Sequence, residues 1–190
     1  MSETARIDPT AMGLLFIGFI LFVVGIFGID MSGKLDSVYI GSGVFAVALL
    51  GGLALTFVAV YAYKAGSNFG ATVFGWVALS LFLVAAFGGA FNGIFNFDLS
   101  DSWFLWIIVG IFYLIFTAWS LLAKAPKILA GVLFFVALVF VFLGLALYGD
   151  TTAKNAETYF LIVGICSLIG FILSTYLGFA LTGAAKMKVV

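Results

Sequence analysis

The sequence predicts an all-α, polytopic membrane protein: a single domain over residues 1–190, built as one bundle of six transmembrane helices. Three observations predict it. The eight basic and eight acidic residues all fall at the chain ends or in gaps between six apolar runs, never inside a run. Moving a bare ion into a dry, low-dielectric medium costs on the order of tens of kcal/mol, so segments that meet lipid exclude charge. Hydrophobic residues make up 65% of the chain and charged residues 8%, against roughly 25% charged in a soluble domain. Finally, each run is roughly 18 to 26 residues long, the length a helix needs to cross a hydrocarbon core. Six such runs consume most of the chain and leave no room for a soluble domain.

The first run, Met12–Ile29, is preceded by Asp8 and Pro9. Asp8 suits an N-cap, and Pro9 suits the first helical position, where its missing N–H costs nothing. The run is too long for the apolar core of a signal peptide, its leader carries Glu3 and Asp8, and no small-x-small cleavage site follows. It reads as a true span. Val38–Tyr63 and Phe69–Phe87 form the second and third spans, joined by a gap so short that they make a tight antiparallel hairpin. Gly66 there suits a helix C-terminus, and Ser67 or Asn68 can cap the next helix. The longest gap, Gly88–Ser102, carries Asn92, Asn96, Asp98 and Asp101 and reads as a solvated loop. Trp103–Leu122 and Ile128–Tyr148 form a second tight hairpin about Ala123–Lys127, and Tyr159–Leu181 is the sixth span. The fifth has nothing polar from Ile128 to Leu147, so it faces lipid or forms an apolar wall. Trp103, Trp106, Tyr148 and Tyr159, near span ends, read as an interfacial aromatic belt.

In a six-span topology Arg6, Lys64, Lys124, Lys127, Lys186 and Lys188 share one side, and only Lys34 and Lys154 lie on the other. The positive-inside rule then makes both termini cytoplasmic, in a multi-pass protein of the cell membrane. Net charge is zero, which removes any argument for nucleic acid as a partner. There is no histidine, and the one cysteine, Cys166, sits inside a run as core filler. No buried acid, base or metal set is available, so the chain predicts neither an enzyme nor a cofactor. For the same reason no internal proton relay is expected.

Weakly polar residues recur at helical spacing along several spans. Examples are Thr56 in span 2; Thr72, Trp76 and Ser80 in span 3; Tyr113 and Thr117 in span 4; Ser167 and Ser174 in span 6. Taken singly, each is explained by helix packing, since a hydroxyl can bond its own i−4 carbonyl. Taken together, they also suit a narrow pore lined by hydroxyls and aromatics. The stripes alone leave both readings open.

Two motifs narrow the choice. Asp8-Pro9-Thr10-Ala11-Met12-Gly13-Leu14 opens span 1, and Tyr63-Lys64-Ala65-Gly66-Ser67-Asn68-Phe69-Gly70-Ala71-Thr72-Val73-Phe74 joins spans 2 and 3. In this order they resemble the acetate uptake transporter family, typified by the succinate–acetate permeases. That family opens span 1 with Asn-Pro-Ala-Pro-Leu-Gly-Leu; Pro9, Gly13 and Leu14 match it, while Asp8 and Ala11 depart from it. Its second motif, Tyr-Lys-x-Gly-Asn-Thr-Phe-Gly-x-Thr-x-Phe, is matched by Tyr63, Lys64, Gly66, Phe69, Gly70, Thr72 and Phe74, with Asn68 within it. The resemblance implies a homohexamer in the lipid bilayer with one pathway per protomer, passing acetate and in some members succinate. It also implies a constriction, at Ile17 and Val77 here, where the family uses aromatics. Leu55 and Ala62 stand where bacterial members have a glutamine and a glutamate. On this reading the pathway residues are Thr56, Thr72, Trp76, Val77, Ser80, Tyr113, Thr117, Ser174 and Tyr176.

A few hydroxyls cannot replace the hydration of a carboxylate in a dry site. Either the path stays partly wet, or a weak acid crosses in its neutral form without a titrating side chain. Two other readings stay open: a channel for a small neutral solute such as urea or ammonia, and a scaffold subunit that transports nothing. A continuous polar path ringed by Thr72, Trp76, Tyr113 and Ser174 would favour transport, and a dry packed interior the scaffold.

Overall fold

A computed structural model describes residues 9–33, 41–87, 99–148 and 154–182. It contains six helices long and apolar enough to cross a membrane: α1 (Pro9–Met31), α2 (Gly41–Lys64), α3 (Asn68–Ala85), α4 (Trp103–Leu122), α5 (Lys127–Leu147) and α6 (Lys154–Leu181). A short 3₁₀ turn, Leu99–Ser102, leads into α4, and no strand occurs among the described residues. The architecture is that of an all-helical, multi-pass membrane protein. Pro9 is the first helical residue of α1; the Asp8 cap, and the charges at Arg6, Lys34, Lys186 and Lys188, lie outside the described residues.

The helix ends follow local chemistry. After α2, the Ser67 N–H donates to the Ala62 carbonyl and the Gly66 N–H to the Tyr63 carbonyl, both at 2.9 Å. Gly66 takes φ +84 to allow it, the paired bonding of a Schellman ending. The same ending closes α4, where Ala125 bonds Ser120 and Lys124 bonds Leu121, but here Lys124 carries the positive φ of 54. Ser67, not Asn68, caps α3, its hydroxyl accepting from the Gly70 N–H at 3.2 Å. α6 starts at Lys154, a full turn earlier than the apolar run. Glu157 sits in that first turn, where an acid complements the helix dipole, and the Thr158 hydroxyl bonds the Lys154 carbonyl.

Around the bundle the helices run α1, α2, α3, α4, α5, α6, and the last packs back on the first. Glycines let several backbones come close, as expected where lipid supplies no hydrophobic push. A Cβ on Gly28 of α1 would lie 2.6 Å from the Gly164 nitrogen of α6. One on Gly110 of α4 would meet the Ala137 carbonyl of α5 at 2.9 Å. The exception is α3 against α4, whose backbones stay farther apart than those of the other neighbours. Aromatic side chains fill that seam: Phe69 on Trp119 at 5.1 Å, and Trp76 on Phe112 at 4.6 Å and on Phe116 at 6.0 Å between ring centroids.

Candidate functional site

All six helices contribute to one cavity of about 130 Å³ in the middle of the bundle. Ile17, Ala48, Val77, Tyr113, Phe140 and Phe160 represent α1 to α6 in its wall. On α1 the lining extends from Ile17 to Met31, about 21 Å of helix. The cavity therefore reaches from mid-bundle toward the end opposite the termini. α5, with no polar residue after Lys127, supplies an apolar wall through Val136, Val139, Phe140, Leu143 and Leu147.

A second cavity of about 240 Å³ sits at the end that carries the termini. Thr10, Leu14, Ser67, Phe69, Gly70 and Phe74 are among its lining residues, with Pro126 and Leu177 opposite. Leu14 faces this cavity and Ile17 the central one; likewise Val73 faces this one and Val77 the other. The two spaces are thus separated by about one helical turn. Leu14, Ile17, Val73 and Val77, with Leu133 of α5 and Leu177 of α6, are all buried in one apolar cluster at that level. The buried Ser174 of α6 reaches this layer, its hydroxyl donating to the Leu14 carbonyl at 2.6 Å.

Within the central cavity three polar side chains reach the wall: Ser80, Trp106 and Tyr113. Tyr113 is fully buried, and its hydroxyl donates to Ser80 Oγ at 3.2 Å, closing the α3–α4 seam with a polar bond. Ser80 in turn donates to the Trp76 carbonyl at 2.9 Å. Phe140 of α5 lies between Tyr113 and Trp106, stacked nearly parallel with both at 5.5 and 6.2 Å. The Trp106 indole N–H donates to Ser102 Oγ at 2.9 Å. Trp106 is therefore part of the wall and not of an interfacial belt. A seryl acceptor four residues earlier was the sequence signal for that, since a buried indole needs a partner.

The structure brings together only some of the expected pathway residues. Ile17, Val77, Ser80 and Tyr113 meet at the inner end of the central cavity, and Ser174 lies in the layer between the cavities. Thr56, Thr72 and Tyr176 face outward, and the first two hydroxyls bond their own helix at Gly52 and Asn68. Thr117 is half-buried and bonds the Tyr113 carbonyl in the same way. Trp76 stays in the α3–α4 seam, its buried indole N–H without an acceptor among the described residues. No continuous polar path crosses the described part of the bundle.

The motif residues divide similarly. Leu14, Phe69, Gly70 and Phe74 line the cavity at the termini end. Gly13 lets α1 pack there: a Cβ on it would come within 2.5 Å of the Phe74 ring. Tyr63, Lys64, Gly66 and Asn68 are exposed around the turn. Leu55 and Ala62 are both fully buried in apolar packing.

No protein-family model matches the chain, and no curated protein matches it. Among solved structures, one described as "Structure of the bacterial acetate channel SatP" superposes with a TM-score of 0.75, covering 97% of each chain at 20% sequence identity. At that identity the likeness is one of fold.

Proposed function

We propose that this chain is a membrane facilitator of the acetate uptake transporter kind, passing small monocarboxylic acids such as acetic acid through the middle of each protomer. The observation that carries the reading is the pair of cavities set end to end and divided by one turn of apolar side chains, the central one lined by all six helices. The family motifs and the shared fold with a named acetate channel support it. An apolar constriction controls a pore by excluding water. A carboxylate crossing it would lose hydration worth on the order of tens of kcal/mol, with no cation in the wall to offset the loss. The neutral acid avoids that cost, so on this reading the protein carries the acid without a titrating side chain of its own. We further propose a homohexamer in the cell membrane with cytoplasmic termini, as the resemblance and the lysine distribution imply.

The test is uptake of radiolabelled acetate into proteoliposomes, with and without an imposed pH gradient. Protein-dependent flux that propionate competes supports the reading. No flux above empty liposomes from well-folded protein overturns it and favours the scaffold reading, to which the closed apolar layer and the back-bonded hydroxyls also lend themselves.

A further inference from the structure

We infer that the central cavity is a dry tail-binding site, which takes the alkyl chain of a monocarboxylic acid and favours acids of about four to six carbons over acetic acid and over dicarboxylic acids. The selectivity rests on the reading of this cavity as the permeation path; the dryness of the site does not. The wall is almost wholly apolar. Its three polar residues, Ser80, Trp106 and Tyr113, have at most 1% of their surface exposed. They donate to the Trp76 carbonyl, to Ser102 and to Ser80 respectively, so their protons are engaged inside the protein. A water molecule needs about two to four polar partners to settle in a cavity, and this wall keeps its side-chain donors elsewhere.

An apolar cavity of about 150 Å³ stays dry and accepts benzene. The space of about 130 Å³ here therefore takes an apolar body of about five carbons. On α1 the wall runs from buried Ile17, Ile20 and Leu21 to Met31, which is 45% exposed. A chain that enters tail first leaves its carboxyl group at the Met31 end, in reach of water, and lays its methylenes on Val24, Phe27, Ala48, Leu143 and Phe160. Each methylene moved from water to such a wall strengthens binding about fourfold. A second carboxyl group carried in with the tail would lose its water and find no side-chain donor left over among the lining residues, which weakens succinic acid at least about tenfold.

The experiment is competition of tracer acetate exchange in proteoliposomes by the straight-chain acids from propionic to octanoic and by succinic acid, compared at equal concentrations of the neutral acid, with empty liposomes subtracted. Potency is expected to rise about fourfold per carbon up to hexanoic acid and then to level. Ala48→Leu adds about three carbons to the wall and is expected to bring the plateau down to propionic acid; Leu143→Ala removes as many and is expected to move it beyond hexanoic acid. Partition into lipid would instead raise potency with every carbon, equally in all three proteins. That result, or potency independent of chain length, with wild-type exchange intact, overturns the inference and leaves the transport reading standing. Absence of wild-type exchange overturns the transport reading, and the selectivity with it. Xenon-pressurised crystals test the site apart from transport: xenon is expected in the wild-type cavity and not in that of Ala48→Leu, and ordered water in its place, or an empty cavity, overturns the inference.

Discussion

The Ser174 hydroxyl of α6 reaches across to the Leu14 carbonyl of α1 at 2.6 Å, a link between helices 160 residues apart in sequence. Most other hydroxyls in the bundle bond the preceding turn of their own helix. This bond joins two elements at the level of the apolar layer that separates the cavities.

Ser174→Ala is expected to destabilise the folded protein by about 1 kcal/mol, the usual worth of an interhelical hydrogen bond in a membrane protein. Unfolding in detergent micelles measures it. Ser120→Ala serves as the control, because its hydroxyl donates within its own helix, to the Thr117 carbonyl, and its loss is expected to cost less.

Gly28→Ala is expected to be costly, about 1–3 kcal/mol, because the new methyl meets the backbone of Gly164 and not a movable side chain. Gly75→Ala makes the opposite case. Its Cβ would find only the Ala59 methyl, at 3.9 Å, so the helix propensity of alanine stabilises by up to about 1 kcal/mol. Thermal stability of the two variants should move in opposite directions.

Lys124→Gly is expected to stabilise by about 1 kcal/mol, since φ 54 at that position strains any residue with a Cβ. The corresponding Gly66→Ala should destabilise by a similar amount, from φ +84. Denaturation of the two single variants compares the hairpins directly.

Ile17→Trp is expected to fill the inner end of the central cavity and bring acetate flux down to that of empty liposomes. Val77→Ala opens the same level and is expected to raise flux severalfold, with a stability loss of about 1–3 kcal/mol from the added void. Proteoliposome uptake alongside thermal unfolding separates the two effects.

Thr72→Val is expected to leave flux unchanged. Its hydroxyl faces outward and bonds the Asn68 carbonyl, so the change touches neither cavity. A large loss of uptake with intact folding would bring α3's outer face into the pathway.

The spans were legible because exclusion of charge from lipid is a one-dimensional signal, written along the chain. The α4 span agrees with its apolar run, whereas α6 begins earlier because polar Glu157 suits a first helical turn and Thr158 bonds back to the Lys154 carbonyl. The site was only partly legible, for a physical reason. A helix apolar on every side gives no period from which to read its rotation. Thr72 and Ser80, on one helix, looked alike in sequence; packing turned the first outward and the second into the cavity wall. Tyr113, Ser80, Ile17 and Val77, which line the central cavity, lay among the expected pathway residues, while Trp106 did not, because its position near a span end resembled a belt residue.

The order of helices around the bundle has a consequence for biosynthesis. Of the six helices, the two that pack most intimately, through Gly28 and Gly164, are also the pair made farthest apart in time, α1 before and α6 after the other four. The enclosure is therefore not complete until α6 has been made, and an emerging chain holds an open, crescent-like half-product whose polar Ser80 and Tyr113 have no closed wall around them. Truncation within α6 is expected to leave that intermediate unsealed, a substrate for quality control and not a smaller working protein.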